Sequence, residues 1–189
     1  TSDGDEVSVY HKFYERWVLE KPAFDGLSYG QLHEQVLKTI FWLEAQGLRS
    51  GDVVCVQVPK STELLQVILA AMAMGAPILP LNEGYTEAEV LYYLNDCKPT
   101  LSILPHRPSQ WNEPVCTLEE LSAAKNGPSA RVPPEVPLDT HALFLYTSGT
   151  TGEPKGAVIS HRNILACVQA LHRAWQWTDE DHLLHLLPL

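Results

Sequence analysis

A chain of 189 residues, 45% hydrophobic and 19% charged, carries enough apolar material for a sizeable core in one domain. Asp and Glu outnumber Lys and Arg by 23 to 13, giving a formal net charge of -10. With no basic cluster in the chain, that balance argues against general nucleic-acid binding. No apolar run reaches the roughly 18 residues expected of a membrane span, so no segment is read as crossing a bilayer.

The first six residues are acidic and polar, unlike a secretory signal or an Arg-rich transit segment. Residues 1–27 as a whole are mixed. Phe13 and Trp17, four apart, are expected on one face of a short helix, packed into the core. Ser28 and Gln31 have capping-box spacing, and Leu32, Val36, Ile40 and Leu43 follow at helical intervals up to Gly47. Residues 52–58 are rich in valine and read as a strand closed by Pro59. Ser61 opens a second helix, with Leu64, Leu65, Ile68, Leu69 and Met72 on its buried side and Gly75 as its stop. Met72 and Met74 are read as core filling rather than as a binding stripe. Residues 77–81 form a short strand. Thr86 and Glu89 cap a third helix, and residues 100–104 supply the next strand.

Strands alternating with helices at this spacing imply a mostly parallel sheet flanked by helices, an α/β fold whose ligand loops lie at the carboxyl ends of the strands. From 105 to 137 the character changes. This segment holds seven of the 14 prolines and one weak helix near 118–124. It reads as a crossing between two sheets or a surface excursion.

The four cysteines, Cys55, Cys97, Cys116 and Cys167, show no metal-ligand spacing. Cys55 lies in an apolar strand and is expected to pack as a small hydrophobe. Scattered free thiols suit a reducing compartment. The cytoplasm is the expected location, with the mitochondrial matrix, after removal of a leader, as the alternative.

The most informative stretch is 146–156, Tyr-Thr-Ser-Gly-Thr-Thr-Gly-Glu-Pro-Lys-Gly, between the apolar runs 142–145 and 157–159. Glycines let backbone N–H groups turn toward an anion, hydroxyls add donors, and lysine adds a point charge. The stretch therefore reads as a phosphate-holding loop between two strands. On composition alone an ordinary turn competes with that reading. A Walker-type P-loop fails on spacing, because Pro154 precedes Lys155 and Gly156 follows it. Beyond the loop, Ser160 caps a helix whose buried face is expected to carry Ile164, Val168, Leu171 and Trp175. Residues 183–187 read as a last strand. His161 is expected to start the helix rather than act as a base. His182 and His185, three apart on a strand, point to opposite faces and are not read as a metal pair.

The string from Thr147 to Lys155 resembles the nucleotide-binding signature of the adenylate-forming (AMP-binding) enzymes: acyl-CoA synthetases, peptide-synthetase adenylation domains and luciferases. The runs Gly51-Asp52-Val53-Val54 and 73–82 look like their early shared segments, which are mostly structural, so Gly75, Pro80 and Asn82 are assigned no chemistry. The segment 175–189 is similar to that of malonyl-CoA and methylmalonyl-CoA synthetases.

The resemblance implies that the chain is the N-terminal part of the large domain of such an enzyme. In the family, ATP and a carboxylate give an acyl-adenylate and pyrophosphate, and a thiol, often that of CoA, then displaces AMP. It implies that Thr147, Ser148, Gly149, Thr150, Thr151, Gly152 and Lys155 grip the ATP phosphates, and that Thr147 helps position Mg²⁺. The catalytic residues are expected beyond Leu189, with the rest of the enzyme and its C-terminal domain as the chain's partner. Three functions stay open: a portion of an acyl-CoA synthetase acting on a small acid such as malonate or methylmalonate, an adenylation domain loading a carrier protein, and a non-catalytic folding unit.

Overall fold

Strand residues alternate between two apolar layers, and that alternation sets the architecture. The computed structural model describes residues 8–147 and 154–184. In chain order the elements are α1 (Val9–Tyr14), a small ribbon of β1 (Pro22–Phe24) and β2 (Leu27–Ser28), α2 (Tyr29–Ala45), β3 (Val54–Val56), α3 (Thr62–Met74), β4 (Ile78–Pro80) and α4 (Glu87–Cys97). They continue with β5 (Leu101–Ile103), β6 (Val115–Cys116), α5 (Leu118–Ala123), β7 (His141–Thr147), β8 (Lys155–Ser160) and α6 (His161–Trp175). Six strands form one sheet in the order β6-β5-β3-β4-β7-β8. All its pairings are parallel except β7 with β8, which is antiparallel.

Side chains alternate across a strand with a period of two. Val54, Val56, Ile78, Leu101 and Ile103 accordingly join the layer built by α2 and α3. Cys55 and Leu79 join the opposite layer with Val90, Tyr93 and Leu94 of α4. Being buried on both faces, the central strands read in sequence as continuous apolar runs. Burial pushes the Cys55 thiol well above its ordinary pKa, so it is an inert packing group.

The helix starts follow from local chemistry. The Ser28 hydroxyl accepts the Gln31 N–H at 3.2 Å while Gln31 Oε1 accepts the Ser28 N–H at 2.9 Å. Thr86 with Glu89, and Ser160 with Asn163, form the same reciprocal pair, and Ser61 accepts from Leu64 N–H. Each such cap contributes about 1 kcal/mol. Gly75 ends α3 at φ +69°, and a Cβ there would lie 3.0 Å from Val136 Cγ1 and 3.1 Å from Ser50 Oγ. Only glycine meets both the left-handed turn and the close approach.

Four local expectations are corrected. First, α1 ends at Tyr14, so Trp17 lies in the turn after it. Its indole still packs, 5.1 Å from Tyr29 between ring centroids, because the chain folds back over α2. Second, Leu65, Ile68 and Leu69 of α3 are half-buried, while Val67, Ala70, Ala71 and Ala73 are fully enclosed. Third, α6 buries Ile164 in part but leaves Val168, Leu171 and Trp175 exposed, the last at 57%. Among the described residues α6 packs chiefly on α1 and β8, and neither covers that stripe. Fourth, Leu183 and Leu184 belong to no strand and are exposed; residues 185–187 lie outside the described residues. The segment between β5 and β7 contains α5 and also β6, a two-residue edge strand on β5 that is too short to leave a periodic pattern.

Candidate functional site

β7 and β8 run antiparallel in register from Leu143↔Ile159 to Thr147↔Lys155. Thr147 and Lys155 are thus direct partners across the mouth of the hairpin. Directly opposed residues of an antiparallel pair share a face. Ser148, Gly149, Thr150, Thr151 and Gly152, the other candidate site residues, lie outside the described residues. The pairing sets a hydroxyl and an ammonium group opposite one another at the open end of the ladder. Both side chains are exposed.

The hairpin's place in the sheet matters as much as its own geometry. β7 pairs parallel with β4, with Ile78 opposite Leu143. The carboxyl ends of β3, β4 and β7 therefore share one edge of the sheet, where ligand loops of parallel sheets gather. On the α3 side this edge opens into a cavity of about 490 Å³. Leu143 and Leu145 of β7, Ile78 and Pro80 of β4, and Met72 of α3 line it, with Lys60, Asn82 and Glu83 as its polar lining. Leu145 lies two residues before Thr147, on the same face of β7.

Tyr146 points the other way. Its hydroxyl donates to Asp96 of α4, and its ring lies 4.8 Å from that of Tyr93, which in turn stacks on Tyr85 at 5.2 Å. Burial first, and then the bond to Asp96, raise the Tyr146 pKa. Its bond with Tyr85, followed by burial, pushes the Tyr93 hydroxyl up to about 12. Sequence reading assigned Tyr146 and Asp96 no role. Only the fold brings these two residues, 50 apart in the chain, together.

Asn82 and His161, to which no chemistry was assigned, make structural contacts. Asn82 Oδ1 accepts the Gly84 N–H at 2.8 Å, and its carbonyl accepts from Gln57 Nε2 at 2.9 Å. His161 opens α6 as expected. It is fully buried, its Nδ1 accepts the Val9 N–H at 3.4 Å, and its Nε2 has no partner among the described residues. Burial, then the neighbouring His11, lower its pKa to about 4. It sits six residues along β8 from Lys155, roughly 20 Å of extended strand away, and takes no part in the hairpin mouth.

No group of three or more His, Cys, Asp or Glu able to hold a metal occurs among the described residues. Mg²⁺ usually keeps several waters and binds one or two protein oxygens together with substrate phosphates. A lone hydroxyl such as that of Thr147 fits an ion delivered with a polyphosphate, and does not make a site that holds the ion unaided.

Solved structures share this arrangement of a mostly parallel sheet, flanking helices and one antiparallel strand pair. Apo MatB from Rhodopseudomonas palustris matches it at a TM-score of 0.86 and 31% identity, over 95% of this chain and 40% of that one. The chain belongs to the AMP-binding enzyme family, which matches residues 10–189.

The ATP-bound form of MatB matches at 35% identity and a TM-score of 0.78, over 87% of this chain and 35% of that one. Malonate–CoA ligase of Arabidopsis thaliana is 31% identical over 77% of this chain and 27% of its own length. Vanchrobactin synthetase VabF of Vibrio anguillarum is 32% identical over 85% of this chain and 6% of its own. The chain thus spans well under half the length of each of these relatives. No helix among the described residues is long and apolar enough to cross a membrane.

Proposed function

We propose that this chain is the N-terminal portion of an ATP-dependent, AMP-forming acyl-CoA synthetase acting on a small carboxylic acid, with malonate and methylmalonate as the first candidates. The observation that carries the reading is the hairpin mouth, with Thr147 facing Lys155 at the carboxyl edge of the sheet. The malonate–CoA ligase and MatB likenesses support the choice of acid.

In the proposed reaction a carboxylate oxygen attacks the α-phosphorus of ATP, and the bond to pyrophosphate breaks. The thiol sulfur of CoA then attacks the acyl carbon, and AMP leaves. Lys155 would neutralise charge on the β- and γ-phosphates, and so favour departure of pyrophosphate. The loop hydroxyls and amides would hold the same oxygens, each bond to a charged group being worth about 1.5–3 kcal/mol. Mg²⁺, when bound, would supply further neutralisation there, with the Thr147 hydroxyl among its supports. The rest of such an enzyme, including its C-terminal domain, would contribute the other substrate contacts. The described free thiols suit a reducing compartment, the cytoplasm or, as the alternative, the mitochondrial matrix.

The test is carboxylate-dependent ATP–pyrophosphate exchange by the full-length protein, over a panel of small mono- and dicarboxylates and amino acids. Exchange with malonate or methylmalonate, followed by acyl-CoA formation, is the expected result. No exchange with any of them would overturn the reading. A second reading has its own support in the peptide-synthetase relatives. It predicts exchange with an amino or aryl acid, and thioester formation on a phosphopantetheinylated carrier protein instead of CoA.

A further inference from the structure

The residue just before Thr147 carries an interaction that packing alone does not require. Tyr146 pairs in register with Gly156, one step inside the Thr147–Lys155 pair. Gly156 has no side chain, and the Tyr146 ring lies across the space it leaves: a Cβ on Gly156 would sit 3.4 Å from Tyr146 Cζ. An aromatic ring covering a cross-strand glycine fixes local register. A phenylalanine would do as much, yet the ring carries a hydroxyl, and the hydroxyl donates to a carboxylate of Asp96.

Asp96 is also placed against its own helix. It is the penultimate residue of α4, in a last turn with no basic residue. The negative end of the helix dipole disfavours a carboxylate there. The charge therefore does not serve the helix; it accepts from the hydroxyl beneath the hairpin.

We propose that Tyr146 and Asp96 form a clamp that positions the phosphate-handling hairpin, with the anchored ring bearing on Gly156 and fixing how Thr147 and Lys155 face each other. This rests on the nucleotide-binding reading of the hairpin. Tyr146 and Asp96 are positioning residues: their side chains lie on the face of the sheet opposite to Thr147 and Lys155, and they act through the strands. A charge-assisted hydrogen bond is directional, so its loss lets the hairpin mouth sample other spacings without removing any group that meets phosphate.

The test uses the full-length protein and the variants Tyr146→Phe, Asp96→Ala, Asp96→Asn and the double Tyr146→Phe/Asp96→Ala. The single variants Tyr146→Phe and Asp96→Ala are expected to raise KM for ATP about threefold to tenfold with kcat within about twofold. Asp96→Asn, which keeps an acceptor, should fall between wild type and Asp96→Ala. The double variant should be no worse than either single, because one bond is lost in all three. Melting temperature should hold or rise in Asp96→Ala as the unfavourable helix-end charge goes. An unchanged KM, additive effects, or a fall in kcat and melting temperature together would overturn the clamp.

Amide hydrogen exchange across 147–156 provides an arm that needs no turnover: faster exchange in Tyr146→Phe is expected, and unchanged exchange would overturn the proposal. If the wild-type protein shows no pyrophosphate exchange at all, the acid-activation reading falls. The clamp is then judged on hydrogen exchange alone.

Discussion

Lys155 is the side chain whose chemistry was clearest in the sequence, and its partner across the ladder, Thr147, gives it a defined setting. Replacing Lys155 by Ala in the full-length protein should cost the 1.5–3 kcal/mol typical of a hydrogen bond to a charged group, seen as a rise of roughly tenfold to hundredfold in KM for ATP. Lys155→Arg should recover part of the loss, and steady-state kinetics would read both. His161 shows the reverse case, a residue whose letter suggests chemistry and whose surroundings deny it. Its folded pKa of about 4 lies below the ordinary 6.5. The unfolded chain therefore binds a proton in that window that the folded chain refuses, so stability rises with pH there. This contribution is fully present above pH 6.5 and is lost as pH falls toward about 4, on the order of 3 kcal/mol in all. Denaturant midpoints measured across that range should fall on acidification, and should fall less in His161→Gln.

At the scale of elements, the sequence located most helix starts, because a cap is a local event of three or four residues. Ser28 and Thr86 cap as their spacing predicts, and Ser61 and Ser160 cap the helices they were expected to open. Gly75 marks the end of α3 for a reason that is partly local, the left-handed turn, and partly distant, the side chains of Val136 and Ser50 that crowd the space a Cβ would fill. Gly75→Ala should destabilise the protein by more than the ~1 kcal/mol of the backbone term alone, measured as a lowered denaturant midpoint. The core packing of Trp17 was legible, but its place outside α1 was not, and β6 was missed for the same reason. A turn residue that folds back onto a helix, and a two-residue edge strand, have no period of their own and exist only through contacts remote in sequence. The apolar stripe on α6 was read correctly as a pattern. Its burial was not, because a stripe states what a helix could bury and not what lies against it.

Across the whole molecule, β3 binds the two layers together, since Val54 and Val56 serve one face and Cys55 the other. Neither layer can open without uncovering this strand. The β1–β2 ribbon, a separate two-stranded pair, has no such enclosure, and two-stranded ribbons are marginal alone. Amide exchange on the full-length protein should therefore be slowest at β3 and β4 and on the order of a hundredfold faster or more at β1–β2. Even protection across these segments would count against a shared core centred on β3. The same sheet gathers the carboxyl ends of β3, β4 and β7 at one edge, so the site's location follows from strand order.

The sequence alone determined what depends on neighbours along the chain: the caps, the alternation of apolar strands with amphipathic helices, and a glycine-, threonine- and lysine-bearing bend distinctive enough to mark the family. Tertiary structure alone decided which strands lie side by side, that Thr147 faces Lys155 across an antiparallel pair, and that Asp96 reaches Tyr146 beneath them. The physical reason is range. Backbone capping and side-chain periodicity act over a few residues and leave their pattern in the letters, whereas strand order and cross-chain contacts are selected by burial of the whole core, which no local stretch encodes.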